Sequence, residues 1–394
     1  MPFNAAQPFD LPLLRADHVP MAQWETSAIL KACIEARAAL SALHQATALL
    51  PNPDVMLSSL VLLESQASSE IENIVTTTDA LFEYAQADAR RVENADSAVK
   101  ETLRYRESLY YGMAALKARP LTTTLMEEIC TRTKGVDMRV RKVPGTALVN
   151  ARTKETIYTP PQGESHLREL LVDWERFCHA MPDDEQRGGD LDPLVRMAAL
   201  HYQFEAIHPF LDGNGRTGRV LNLLFLVEKG LLSTPILYLS RHILQHRSDY
   251  YAKLLAISRE GSDAAWRDWI AYMLDAVRET AKWTLAKVLA ISTLITETHT
   301  EVQTTTKLGN QKGLIELVFR LPYCRIADVV DAQIAKRQTA AVYLQNLADI
   351  GVLTETSKGR EKLYLNHRLI DLLKGDDDEG HENSQRGATR AITL

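Results

Sequence analysis

A chain of 394 residues that is 45% hydrophobic, 24% charged and 7% aromatic has material for roughly two or three domains with full cores. That composition excludes a disordered chain, a collagen-like repeat and a small disulfide scaffold. Lys+Arg 45 against Asp+Glu 51 leaves a net charge of −6, which argues against non-specific nucleic-acid binding by the whole chain, though not by one part of it. Cys33, Cys130, Cys178 and Cys324 are scattered without CxxC spacing, no apolar run reaches membrane-spanning length, and the start lacks a basic segment followed by an apolar one. The expectation is a soluble, cytoplasmic protein in a reducing compartment.

With 18 glycines, long Ala-, Leu- and Glu-rich stretches and few alternating β-branched runs, the chain reads as mainly α. Residues 22–50 and 54–90 are expected as helices divided by Pro51-Asn52-Pro53-Asp54, Asp54 capping the second. Further helices are expected over 97–118, ended by Pro120, and over 122–133, capped by Thr122 or Thr123. Residues 139–160 break the pattern. Val140, Val143, Leu148, Val149, Ile157 and Tyr158, around Pro144-Gly145 and the polar Asn150-Ala151-Arg152-Thr153, predict a β-hairpin or flap that stops at Pro160-Pro161. Helical pattern resumes over 164–180, and 182–189 reads as an exposed loop.

Asp192-Pro193 is an N-cap followed by proline at the first helical position and predicts a helix to about Glu205. Another helix begins near Asn214 and ends at Gly230, and more are expected over 242–258 and 263–290. Residues 310–368 read as a separate unit, with helices at 311–320, from Ile326, and from Ala335 to Gly351. A two-stranded wing then runs from Val352-Leu353-Thr354 to Leu363-Tyr364-Leu365 across Ser357-Lys358-Gly359, which makes the unit a winged helix. Residues 375–394, opening with Asp376-Asp377-Asp378-Glu379, read as a disordered acidic tail.

The chemistry concentrates in His208-Pro209-Phe210-Leu211-Asp212-Gly213-Asn214-Gly215-Arg216-Thr217-Gly218-Arg219, between two predicted helices. Gly213-Asn214-Gly215 at a helix start lets backbone N–H groups converge without Cβ obstruction, and the helix dipole adds positive potential, so the junction suits phosphate. Arg216 and Arg219 share a helical face and offer planar donors to phosphate oxygens. Asp212 supplies the hard carboxylate that holds Mg²⁺ against a polyphosphate. His208 can take a proton from a hydroxyl near neutral pH, and Phe210 should turn into the core. Each residue alone has a structural explanation. Their convergence at one junction is what marks a site. His201, seven residues before His208, lacks a third ligand at zinc spacing and is assigned to the helix interior.

This segment resembles the signature of Fic-domain protein adenylyltransferases, His-x-Phe-x-Asp-Gly-Asn-Gly-Arg-x-x-Arg, at every defined position. Tyr158-Thr159-Pro160-Pro161 after the flap, Asn222-Leu223-Leu224, and Arg247-Ser248-Asp249-Tyr250-Tyr251 are similar to the family's surroundings of the loop. The winged helix resembles the C-terminal domain of one bacterial Fic architecture. The resemblance implies a Fic-type helical bundle with a flap, transferring AMP from ATP to a Ser, Thr or Tyr hydroxyl of a target protein. It implies His208 as base, Asp212 as the Mg²⁺ ligand, and nucleotide binding along Gly213, Asn214, Gly215, Arg216, Thr217, Gly218 and Arg219. Arg216 would lie near the β-phosphate and Arg219 at the γ-phosphate, while Tyr251 would face the adenine, a core position being its alternative. The flap near 144–160 would hold the target by strand addition.

Ser68 and Glu72-Asn73, within Ala67-Ser68-Ser69-Glu70-Ile71-Glu72-Asn73, resemble the family's inhibitory helix, whose glutamate pairs with the loop's second arginine. The resemblance makes Glu72 the partner of Arg219. The implied layout is an N-terminal helical region over 1–120 with the inhibitory helix near 60–80, a catalytic core over 121–290 and a winged helix over 300–370. Residues 311–368 carry nine Lys/Arg against six Asp/Glu, among them Lys336, Arg337, Lys358, Arg360 and Lys362, so the winged helix can serve a DNA or a protein partner. Homo-oligomerisation stays open. The alternatives are removal of AMP or another Fic-type phosphate-group transfer, and a nucleotide-sensing DNA-binding regulator.

Overall fold

The computed structural model describes residues 3–10, 23–50, 52–85, 92–150, 153–184, 188–306, 308, 311–358 and 361–375. The expected acidic tail, Arg152 of the flap and Gly359 and Arg360 of the wing lie outside them. Among the described residues the first helices are α1 (Ser27–Ala48) and α2 (Pro53–Ile71), then the short α3 (Thr78–Tyr84), α4 (Ser97–Leu116) and α5 (Thr123–Lys134). Thr26 and Thr122 cap α1 and α5 through their side chains, accepting from Ile29 N and Leu125 N. The expected helix over 54–90 is interrupted. Glu72 closes α2, Asn73 adopts a left-handed φ of 62°, and the Thr77 side chain caps α3. The start of α2 also differs, since Asn52 occupies the cap position and Asp54 lies inside the helix.

A small antiparallel hairpin of β1 (Leu148–Val149) and β2 (Thr156–Tyr158) forms the flap, with Leu148 opposite Tyr158. It leads into α6 (Glu164–Cys178), then the central pair α7 (Pro193–Ile207) and α8 (Asn214–Glu228). Nearly every residue of α7 and α8 is buried, which is why neither shows a one-sided apolar stripe. The expected helix over 242–258 is two, α9 (Leu239–Gln245) and α10 (Arg247–Glu260), meeting at His246. The helix expected to end at 290 continues as α11 (Asp263–Thr305), because Val288, Ile291, Thr298 and Val302 keep an inward face going. The limit placed between residues 290 and 300 therefore falls inside one helix.

The C-terminal unit contains α12 (Lys312–Arg320), β3 (Tyr323–Cys324), α13 (Ile326–Asp331), α14 (Arg337–Asp349), β4 (Thr354–Lys358), β5 (Glu361–Leu365) and α15 (His367–Lys374). Its sheet is antiparallel in the order β3–β5–β4, with Thr354 opposite Leu365. The order of helices and hairpin is the expected one. No helix among the described residues is long and apolar enough to cross a membrane.

Helix α1 lies along α11, burying Ile29, Cys33, Ala36, Leu40 and Leu43, so the N-terminal region and the long helix share one core. Leu43 is fully buried. Leu43→Ala should therefore lower unfolding free energy by about 2–5 kcal/mol in a urea titration, the range for a buried leucine whose cavity closes only in part.

Candidate functional site

Helix α7 is started by Asp192, whose carboxylate accepts from Leu194 N at 2.8 Å, and it ends at His208. There the backbone turns left-handed (φ 49°, ψ 59°) while His208 N donates to Phe204 O at 3.0 Å. A non-glycine residue in that region costs about 1 kcal/mol or more, so the surroundings must hold it. Arg141 does so. Its Nε donates to His208 O at 2.8 Å, its Nη2 to Pro161 O and Ile207 O, and its backbone N to Pro209 O at 2.9 Å. Tyr158 OH adds a bond of 2.8 Å to Ala206 O. The flap's exit and the His208 turn are thus tied together.

The loop closes through Asn214. Its Oδ1 accepts from Phe210 N and its Nδ2 donates to Phe210 O, both at 2.9 Å, while Phe210 is buried near Phe204. Gly213 has a φ of 82°, conformationally cheap for glycine, and an added Cβ would press on Lys134 and Cys130. No described side chain caps the start of helix α8 at Gly213, which leaves its first-turn backbone N–H groups the kind of donors an anion nest uses.

Its two arginines are almost entirely buried, Arg216 at 2% and Arg219 at 1% exposure. Arg219 Nε donates to Ser68 Oγ, and its Nη2 donates to Ser68 O and Glu72 Oε1, all at 2.8 Å. Burial works against this guanidinium's charge, but the carboxylate of Glu72, joined by Tyr250, Tyr251 and Tyr105, outweighs it and the pKa is raised. Glu72 also overlies the nest, because a Cβ on Gly215 would collide with its Oε1. Arg216 Nη1 donates to Glu101 Oε1 at 2.6 Å, and Lys134 Nζ bridges Glu101 at 2.8 Å and Asp212 Oδ2 at 2.6 Å. Burial opposes the charge of Asp212, but the hydrogen bond and charge of Lys134, with Gly213 N–H and Arg216, together hold its pKa below the usual range. Asp212 is 63% exposed at the mouth of the nest. A hard, accessible oxygen donor there fits a divalent cation, which would take the carboxylate from Lys134.

The half-buried ring of His208 has its pKa pushed down to about 4, first by burial and then by the nearby Arg141 charge. It is neutral and able to accept a proton throughout the physiological range. His201 is interior as expected, bonded to Tyr250 OH at 2.8 Å and stacked on Trp269. Tyr251 is half-buried beside Tyr250, with Arg247 over its ring, and the Glu72 and Arg219 charges act on it. It therefore borders the site. Thr217 and Gly218 do not face the nest: Thr217 is fully buried beside Cys130, and Gly218 packs on Glu205, Phe204 and His201. Asn214 likewise spends its side chain on the loop.

Several residues of the site escape sequence reading. Glu101, Lys134 and Arg141 come from separate elements and meet only in the fold. Glu205 stands one turn before His208, with burial pushing its pKa up to about 8. Glu64 on α2 accepts from Tyr105 OH at 3.0 Å, Ser240 N at 2.8 Å and Ser240 Oγ at 2.5 Å, and burial pushes it up to about 7.

Three family models match the chain. The Fic/DOC family N-terminal model covers residues 30–114, the Fic/DOC family model covers 121–226, and the C-terminal domain of SoFic-like protein adenylyltransferases covers 294–369. The chain thus carries a Fic/DOC domain, in its N-terminal and Fic parts, followed by a SoFic-like C-terminal domain. Among curated relatives, protein adenylyltransferase fic-1 of Caenorhabditis briggsae is 35% identical over 99 residues, 25% of this chain and 17% of that protein. Protein adenylyltransferase Fic of Drosophila persimilis is 30% identical over 151 residues, 38% of this chain and 26% of that protein. The chain thus spans about a quarter or less of the length of these relatives. A crystal structure of a Fic family protein from Desulfovibrio desulfuricans covers 91% of this chain and 98% of its own at 16% identity and a TM-score of 0.52, a likeness of fold.

Asn214→Ala should leave the buried Phe210 N–H and C=O without partners. The expected loss is about 2–4 kcal/mol in chemical denaturation, since an orphaned buried polar group costs roughly 1–3 kcal/mol.

Proposed function

We propose that the protein transfers AMP from ATP to a hydroxyl of a target protein and is held inactive by Glu72. The observation that carries this reading is a neutral histidine fixed at the mouth of a glycine nest whose second arginine is already held by a carboxylate. His208 accepts the proton of a Ser, Thr or Tyr hydroxyl as the oxygen attacks the α-phosphorus. The bond from that phosphorus to the oxygen bridging to the β-phosphate breaks, and pyrophosphate leaves. Backbone N–H groups at the start of α8, with Arg216 and Arg219, hold the phosphates and spread their charge, most of what such a transfer requires. Asp212 is the residue to hold Mg²⁺, which when bound neutralises phosphate charge. Tyr251 borders the space for the base, and the flap offers a strand edge for the target backbone.

Glu72 stands where an anionic phosphate oxygen would bind and holds the guanidinium meant for it. A γ-phosphate would then be displaced, and the α-phosphate would sit poorly for in-line attack. The same carboxylate acts electrostatically on His208, which favours a second reading: with AMP already on a protein, Glu72 could orient a water for its removal. For the C-terminal unit we read a winged helix for a DNA or protein partner, with Lys336 and Arg337 exposed at the start of α14 and Lys362 paired with Glu355 at 2.7 Å.

Glu72→Gly should raise incorporation of AMP from ATP labelled at the α-phosphate by at least about tenfold, since a misplacement near 1 Å can cost ~100-fold. Adding Arg219→Ala should remove the gain. If Glu72 instead orients water, Glu72→Gly should abolish release of AMP from a modified protein. His208→Ala should stop transfer while ATP binding measured by calorimetry survives.

The pH profile of Glu72→Gly checks the base separately. Because neutral His208 is the active form and its pKa lies at about 4, the transfer rate should change less than about twofold between roughly pH 7.5 and 5.5. An imidazole at the ordinary ~6.5 would lose about tenfold over that span.

A further inference from the structure

The segment carrying Glu72 is gripped at both ends by the C-terminal unit. At the start of α2, Asn52 Nδ2 donates to Glu316 Oε2 at 3.1 Å and Ser58 Oγ donates to Arg320 O at 3.2 Å, so α12 lies against this helix. Beyond the break, Asp79 Oδ1 in the first turn of α3 accepts from Tyr323 OH and from Lys374 Nζ, both at 2.8 Å. Tyr323 belongs to β3 and Lys374 to the last turn of α15, and Tyr323 is buried.

The eight residues from Glu72 to Asp79 are not slack. Asn73 N and Ile74 N donate back to Glu70 O and Ser69 O, and Arg247 Nη1 donates to Asn73 Oδ1 at 3.1 Å. Gln66 of α2 locks the linker from the side, donating to Thr76 O at 2.8 Å and accepting from Thr78 Oγ1 at 3.1 Å. A pull on Asp79 is therefore transmitted to the end of α2. Glu72 sits at that end, its carboxylate 32% exposed and joined to Arg219 by a single oxygen. A carboxylate so placed depends on the backbone beneath it for its position.

We infer that the C-terminal unit clamps Glu72 into the anion site, with Asp79, held by Tyr323 and Lys374, as the positioning residue. The inference rests on the reading of Glu72 as the inhibitory carboxylate. Loosening the Asp79 contact lets α2 and its linker shift, withdraws Glu72 from Arg219, and frees the guanidinium for the last phosphate of ATP. The clamp acts only through Glu72, so its effect must vanish when Glu72 is gone. A merely structural contact would show no such dependence.

The experiment measures two quantities on the full chain: incorporation of label from α-labelled ATP, and the affinity ratio of ATP to ADP by calorimetry, which needs no target protein. Tyr323→Phe, which removes one hydroxyl, and Asp79→Ala are made with Glu72 present and in the Glu72→Gly background. Lys374→Arg keeps the charge on Asp79. With Glu72 present, Tyr323→Phe and Asp79→Ala should each raise both quantities about three- to fivefold. In the Glu72→Gly background they should change neither, and Lys374→Arg should match the wild type. Equal effects in both backgrounds, or none while Glu72→Gly itself activates, would overturn the clamp and leave inhibition by Glu72 standing. No response to Glu72→Gly in either quantity would remove the inhibitory reading, and the clamp with it.

Discussion

A guanidinium sealed from water must have an anion, and in this protein the consequences spread from Arg219. With 1% of its side chain exposed, it cannot stay unpaired without a desolvation cost of several kcal/mol. Ser68 and Glu72 meet that need from α2, whose last turns therefore pack on the start of α8. The same demand can be met by a phosphate. On the proposed function, two anions competing for one buried cation make a bistable element without any hinge in α7 or α8. The outcome depends on how firmly α2 is placed, and Glu64 anchors that helix to Tyr105 and the start of α9.

Around this pair the remaining charges are arranged in advance. Lys134 joins Glu101 to Asp212, Glu101 holds Arg216, and Arg141 fixes the backbone of His208 while depressing its pKa. Each of these groups has a partner, so in the proposed transfer a polyphosphate would exchange one set of pairings for another and not enter a field of bare charges. Preorganisation of this kind lowers the reorganisation needed when charge develops during transfer.

The parts legible in the sequence are those whose causes are local. Asp192-Pro193, Thr122 and the left-handed Gly213 mark real helix ends because capping and glycine freedom act within a few residues. The turn and helix start from His208 to Asn214 follow from the same local causes, whereas the contact of Ser68 and Glu72 with Arg219 crosses the chain and is legible only through the family resemblance. What fails depends on distance. Residues 54–90 look like one helix because the break at Glu72 is enforced by Arg219 and Arg247 from elsewhere in the chain. The apolar face of α11 beyond residue 290 is defined by the unit packed on it, so the sequence alone predicts too early an end. Thr217 and Gly218 belong to the signature by type, yet their sides of the helix are set by packing against Cys130 and Glu205.

Glu64 and Glu205, whose carboxyls burial pushes well up, also make folding a proton-linked equilibrium. Both titrate higher in the folded chain than the ordinary ~4.5, at about 7 and about 8, so the folded form binds more protons than the unfolded one across that interval. Stability contributed by these groups is lost as pH rises through it. His201 and His208 run the other way. Lowered to about 3 and about 4, they favour folding increasingly as pH climbs toward ~6.5, where an unfolded imidazole has shed its proton. Above that point the histidines have nothing left to give and only the carboxyls still respond. A modest rise in alkalinity therefore costs the folded chain stability through one carboxyl on α2 and one on α7, while the histidines no longer compensate.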